Sequence, residues 1–423
     1  MHKKFSSGFN RLVDSLQVIV FTFLFLDCYA GMVYSQWLQW GGPERNFKVD
    51  STQLKTVWTE EGPEQLWKRQ MGGGYSAICV DQDTLYTMYR RGDEDVVIAL
   101  SAGNGETLWE YAYTSLPWQE FSKQYGPGPH ATPLIVENYI YTIGFRTELT
   151  CLDKKNGQKV WSRNLWDEYG VQPGNRGYAS SPMAYKDLLI VLATGKGHGV
   201  IAFNLKDGQQ AWKSQDFINS YSSPIVINVN GQDQLIVFVE TQVAGLDPNT
   251  GDLLWRHTHN TKHQIHASTP IWGEDNILFI SSAYDAGSRA LHLSRRSGET
   301  VVKELWYNKK VKVQHGSAVR IGETIYASSG QGPAFLTAVT IKTGEITAKQ
   351  RGFAKANLMM AGNQMIVLDE AGQLAIVDAS PSGFEVQAQA QVLTSRSWTV
   401  PTLVGTKLYL RDMKEILALD LSP

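Results

Sequence analysis

A chain of 423 residues, 43% hydrophobic and 19% charged, is long enough for several ordinary cores or for many copies of one small unit. Its formal net charge of −2, with the basic pairs Arg90–Arg91, Arg295–Arg296 and Lys309–Lys310 far apart, excludes a nucleic-acid surface, which needs clustered cations to displace counterions. Those pairs are expected in solvated turns. The 38 Gly, 18 Tyr, 15 Phe and 13 Trp, set among short apolar runs and Asn/Asp clusters, point to many short strands joined by turns.

Residues 1–35 read as a secretory signal peptide: Lys3, Lys4 and Arg11, an apolar run from Val18 to Leu26, then small or polar residues to Val33 and Ser35. Cleavage is expected before Gln36. The run is shorter than the about 20 residues of a membrane helix, so no stable span is expected once it is removed. Asp27 stands before Cys28, where lipid attachment needs a small neutral residue, and lipidation is not expected. Cys79 and Cys151 fall inside apolar strand patterns and are expected as buried thiols, with a bridge between them left open.

Residues 36–64 form an extension expected to cover one face or rim, and residues 65–423 carry a repeat. VIALSAGNGETLW ends at Trp109, LTCLDKKNGQKVW at Trp161, VIAFNLKDGQQAW at Trp212 and VAGLDPNTGDLLW at Trp255, each with Gly four residues before its Trp. Weaker copies begin at Ala290, Leu336 and Leu374, and ILALDLSP from Ile416 is an eighth, truncated one. Each copy is a hairpin whose Gly supplies a positive φ and whose Trp is expected to dock on a neighbouring blade. A second hairpin precedes each of these, beginning at Tyr75, His130, Tyr178, Tyr221, His266, His315, Lys355 and Trp398. Four antiparallel strands per unit of about 45 residues make a propeller blade. The fold expected is therefore all-β, an eight-bladed β-propeller. EQLWKRQ near the amino end lacks its own hairpin and the last copy lacks its outer strand, so the two termini should complete one blade and close the ring.

Residues just ahead of the innermost strands are the natural ligand positions at the channel mouth: Tyr75, His130, Arg176, Tyr178, Tyr221, His266, His315, Lys355, Arg396 and Trp398. Aromatics, histidines and cations in a funnel suit an anionic or sugar-like ligand. His257, His259, His263 and His266 invite a metal reading, but the alternation between blade exterior and channel should make the rings diverge, and no metal site is expected. Gly195–Gly199 (GKGHG) lies between strands without a helix to hold phosphate and reads as a hairpin turn.

The pattern A-x-D-x-x-T-G-x-x-x-W, closest to its full form at Gly245 to Trp255, resembles the tryptophan-docking repeat of the pyrroloquinoline-quinone (PQQ) propeller superfamily. WLQWGGPERN, Trp37 to Asn46, is similar to the opening of exported bacterial PQQ-like propellers. The resemblance implies eight blades. It also implies one of two activities: a non-catalytic scaffold, like the outer-membrane β-barrel assembly lipoprotein, or a PQQ- and Ca²⁺-dependent dehydrogenase acting on an alcohol or sugar. Such dehydrogenases carry adjacent cysteines over the quinone, chamber-building insertions and in some cases a C-x-x-C-H haem site; this sequence has none of these. The favoured reading is a monomeric scaffold, periplasmic or extracellular, with no cofactor and no catalytic residues, binding a protein or carbohydrate partner.

Overall fold

The computed structural model describes residues 36–50, 53–126 and 128–423. Eight antiparallel sheets follow one another along the chain as blades 1 to 8. Blades 1 to 7 occupy residues 79–114, 134–164, 183–214, 225–258, 271–308, 319–350 and 356–391. Blade 8 contains Thr402–Val404, Lys407–Arg411 and Glu415–Asp420, and its outer strand is Glu64–Gln70 from the other end of the chain. Trp67 lies opposite Ala418 in that pairing, which is the expected closure. One buried cation locks the seam: Arg411 donates to the carbonyls of Ser76, Met88 and Gly72 and to Thr87 Oγ1, across the junction between blades 8 and 1. Burial pushes its guanidinium down to about 10.

The two middle strands of each blade are buried on both faces, as in Met88, Val97, Ile98 and Leu100 of blade 1, whereas the outer strands alternate between covered and exposed positions. An outer strand therefore needs a local device to fix its register. All eight carry a bulge at one place, and in six of them a Trp there meets a small partner such as Ala99, Cys151 or Ala202. The indole then crosses to the turn of the next blade. Gly157 sits at φ 70° and a Cβ there would lie 2.4 Å from the Trp109 ring. That turn must be Gly both for its backbone and for the shelf it offers. Trp67 on Gly105, Trp161 on Gly208, Trp212 on Gly251 and Trp306 on Gly344 repeat the arrangement.

Trp255, from the most regular copy, behaves differently. Its Nε1 donates to Gln234 Oε1 of its own blade at 2.7 Å, and a Cβ on Gly245 would collide with the indole at 2.2 Å. The ring lies back across blade 4 and packs there against Leu278 and Leu291 of blade 5. Blade 5 turns through only Ser297–Gly298 and offers no shelf. One further expectation is corrected, and the reading of the cysteines as buried thiols holds. Arg90 is not in a solvated turn: it is 7% exposed and pairs with the buried Asp95 at 3.0 Å. Cys79 and Cys151 are free buried thiols, and Cys79 Sγ donates to Pro133 O.

Residues 36–50 and 53–55 form a strap across one end of the channel. Trp37 bridges Val80 of blade 1, Leu38 O accepts from Ile135 of blade 2, and Arg45 donates to Pro182 O and Pro224 O beside blades 3 and 4. Trp40 Nε1 donates to Thr269 Oγ1 beside blade 5. Lys48–Val49 then adds a parallel strand to the inner edge of blade 7, and Lys55 N donates to Leu421 O at blade 8. Gly41 and Gly42, at φ 77° and 79°, make the reversal that lets Phe47 N return to Gly41 O.

Candidate functional site

Opposite the strap, the channel ends in a cup of about 150 Å³. The strap closes its lower end with Trp40, and Tyr75, Tyr125, Tyr221, Tyr284 and Trp398 wall it. The wall is held by ring contacts. Tyr75 stacks on His130 at 5.1 Å and leans on Trp398 at 5.1 Å, while His315 approaches the other rings through Trp398 at 4.5 Å. Tyr75 Oη donates to Tyr125 O at 2.6 Å, tying the wall to the short 3-10 turn Lys123–Tyr125.

Three cations stand at this wall. Arg396 lies 4.7 Å over Trp398 and donates to Gln124 O, and Arg176 lies 4.6 Å over Tyr125. Lys355 sits 5.5 Å over Trp398 but pairs with Glu370 at 3.1 Å, and Glu370 also accepts from Trp398 Nε1 at 2.8 Å. Burial, and then the charges of Lys355 and Arg396, push the His315 imidazole down to about 3; burial brings His130 to about 4. Both rings are therefore neutral near pH 7. His130 Nε2 donates to Arg176 O at 3.0 Å, and both nitrogens of His315 are buried without a partner.

Of the ten residues expected at the mouth, Tyr75, His130, Arg176, Tyr221, His315 and Trp398 line this one cavity. Lys355 and Arg396 reach it through Trp398. Tyr178 and His266 do not. Tyr178 is 3% exposed and donates to Leu192 O, because its ring turns back against its own blade. His266 is fully buried on Phe238 at 4.1 Å, with Nδ1 at Ser282 Oγ and Nε2 at Glu240 O. The histidine group separates only in part. His257 faces Glu304 and His263 faces Tyr284, while His259 and His266 meet at 5.4 Å. Among the described residues no three His, Cys, Asp or Glu side chains are placed to hold a metal ion. Trp40, Tyr125, Tyr284 and Gln314 also line the cup and lie outside the hairpin repeat, in the strap and in connecting loops, where only the three-dimensional closure brings them together.

A PQQ-Ca²⁺ group does not fit this donor set. Ca²⁺ takes six to eight oxygen ligands, and the one carboxylate at the wall, Glu370, is already engaged by Lys355 and Trp398. The cavity has room for about one benzene-sized ring rather than a fused tricycle.

Comparison with known proteins agrees with the propeller geometry. The chain is 23% identical over 329 residues, 73% of its length and 75% of the relative's, to the outer membrane protein assembly factor BamB of Burkholderia pseudomallei (strain K96243). Its fold is similar to crystallised BamB from Moraxella catarrhalis, with a TM-score of 0.58 and 14% identity, covering 84% of this chain and 99% of that one. It is also similar to the quinohemoprotein alcohol dehydrogenase of Comamonas testosteroni, with a TM-score of 0.62 and 12% identity, covering 92% and 80%. At these identities the structural likenesses establish the propeller and not the chemistry. Residues 93–350 match the family described as outer membrane protein assembly factor BamB, and with more than half its length so matched the chain belongs to that family.

Proposed function

We propose that this chain is an exported, non-catalytic scaffold that holds a protein partner during assembly of outer-membrane proteins, on the periplasmic side of that membrane. The observation that carries the reading is the family match across blades 1 to 6. Two features support it. Within each blade the connections between strands are short, and the strap fills one end of the channel. Such a ring offers two faces bounded by turns and a rigid frame between them, which suits docking of a partner with little rearrangement. The residues before Gln36 serve in this reading as the export signal.

The test is a deletion strain complemented with the full chain. Loss of the chain should lower the amount of β-barrel protein in the outer membrane, and site-specific photo-crosslinkers on the exposed turns should trap the same envelope protein repeatedly. Unchanged outer-membrane protein levels, together with a cytoplasmic location for the chain, would overturn the reading.

A further inference from the structure

We propose that the cup is a binding site for a small anion built on a single planar ring, of which an aromatic carboxylate is the simplest form. The proposal does not depend on the scaffold reading. It rests on four observations about one cavity.

The first is size: about 150 Å³, closed below by the strap, accepts one six-membered ring with a short substituent. The second is uncompensated charge. Arg176 and Arg396 have no carboxylate within ion-pair distance among the described residues, while the wall's one carboxylate, Glu370, is taken by Lys355. Both guanidiniums lie against the same short turn, Arg176 over the Tyr125 ring and Arg396 at Gln124 O, so their positive charge is focused on one side of the cup. A planar guanidinium held over an aromatic ring retains free N–H groups in the geometry a carboxylate accepts.

The third observation is the wall itself. Tyr221, Tyr284 and Trp40 add aromatic lining that a ring ligand can pack on, whereas a sugar would need several paired side-chain acceptors and donors. The fourth is the set of polar atoms left without partners. Both nitrogens of the neutral His315 and Gln314 Oε1 are buried and unbonded at the cavity wall. Buried polar atoms without partners cost free energy, and a ligand that supplies an acceptor to the imidazole N–H removes that cost. A ring hydroxyl opposite the carboxylate could additionally donate to Gln314 Oε1.

The experiment uses the purified chain, with calorimetry and Trp fluorescence against benzoate, 4-hydroxybenzoate, benzamide and inorganic phosphate. Benzoate should bind saturably, 4-hydroxybenzoate more tightly, and benzamide and phosphate each about tenfold or more weakly than benzoate, since one lacks the charge and the other the ring. Arg396→Gln and Arg176→Gln should each weaken benzoate about tenfold while leaving the thermal transition in place. His315→Phe keeps the ring stack and should lower affinity without unfolding the wall. Equal binding of benzoate and benzamide, phosphate binding as tight as benzoate, no saturable binding of benzoate, or full affinity in both arginine variants would each overturn the proposal. Because the readout is ligand binding by purified protein, its failure leaves the deletion-strain test of the scaffold reading untouched.

Discussion

Trp109 and Trp255 hold the same place in the repeat and make different contacts, and the reason lies in the residue across the ladder. Trp109 faces Ala99, which props the indole outward onto Gly157 of the next blade, while Trp255 faces Gly245, which lets the indole fall back. The Gly-Trp spacing was therefore readable as a docking code, but the direction of docking depends on a cross-strand partner that no spacing along the chain displays. Trp255→Ala should cost about 3 to 5 kcal/mol in chemical denaturation, since the ring is 6% exposed between blades 4 and 5 and its loss takes away the partner of Gln234 Oε1. Gly157→Ala should cost about 1 to 3 kcal/mol, from its left-handed backbone and the collision with Trp109. In a Trp109→Ala background the collision vanishes and only the backbone part should remain, a coupling that a double-mutant cycle measures.

At the scale of elements, the hairpins, the two-ended blade 8 and six of the ten mouth residues were legible because period and turn chemistry specify them locally. The strap was not. Trp37 to Phe47 has no strand alternation, and its positions are set by hydrogen bonds to residues from 80 to 360, contacts that only a closed ring creates. The same cause hid Tyr125 and Tyr284 as cup residues and misplaced Tyr178 and His266, whose rings rotate into the blade rather than the channel. Removing residues 36–55 should lower the thermal transition by several degrees and open the cup from below, read as increased acrylamide quenching of Trp398. Removing Glu415–Leu421 should do more, since it takes away the strand between Lys407–Arg411 and Glu64–Gln70 and opens blade 8. That truncation is expected to be unfolded or oligomeric by size-exclusion chromatography; a soluble monomer with an unchanged melt would contradict the closure.

For the molecule as a whole, the buried histidines set the acid response. Burial brings His130 and His266 to about 4 and His315 to about 3, from 6.5 in the unfolded chain. A folded pKa below the unfolded one contributes stability that is present above pH 6.5 and lost as pH falls toward the folded value. Each such group removes about 1.4 kcal/mol per pH unit over that range. Asp95 acts the other way: burial raises it to about 6, so the folded state takes up its proton before the unfolded state does. Burial also lowers His257 and brings His259 to about 2, and it raises Glu148 and Glu240; the five histidines outweigh the three carboxylates, and the unfolding free energy should fall from pH 6.5 to 4. His266→Gln should flatten that slope by about one proton's worth if the variant folds, and His130→Gln provides the same measurement at a second site.

The docking indoles are unevenly distributed around the ring. They couple blades 8 through 4 in an unbroken series and reappear between 5 and 6, but Ala348 and Ala388 occupy the corresponding places in blades 6 and 7. That is also the arc where the strap pairs with the sheets, Phe47 to Val49 against blade 7 and Lys55 against Leu421 of blade 8. The molecule thus behaves as a split washer with a clasp: one arc is riveted blade to blade, and the other is held by a thread along its inner edge. Mechanical or thermal opening should begin at the clasped arc, so amide exchange should appear first in Ile346–Gln350 and Gly383–Gln391 and last in the outer strands of blades 1 to 3. Pulling the thread free would then loosen two blades while leaving the riveted arc, and most of the cup wall it carries, in place.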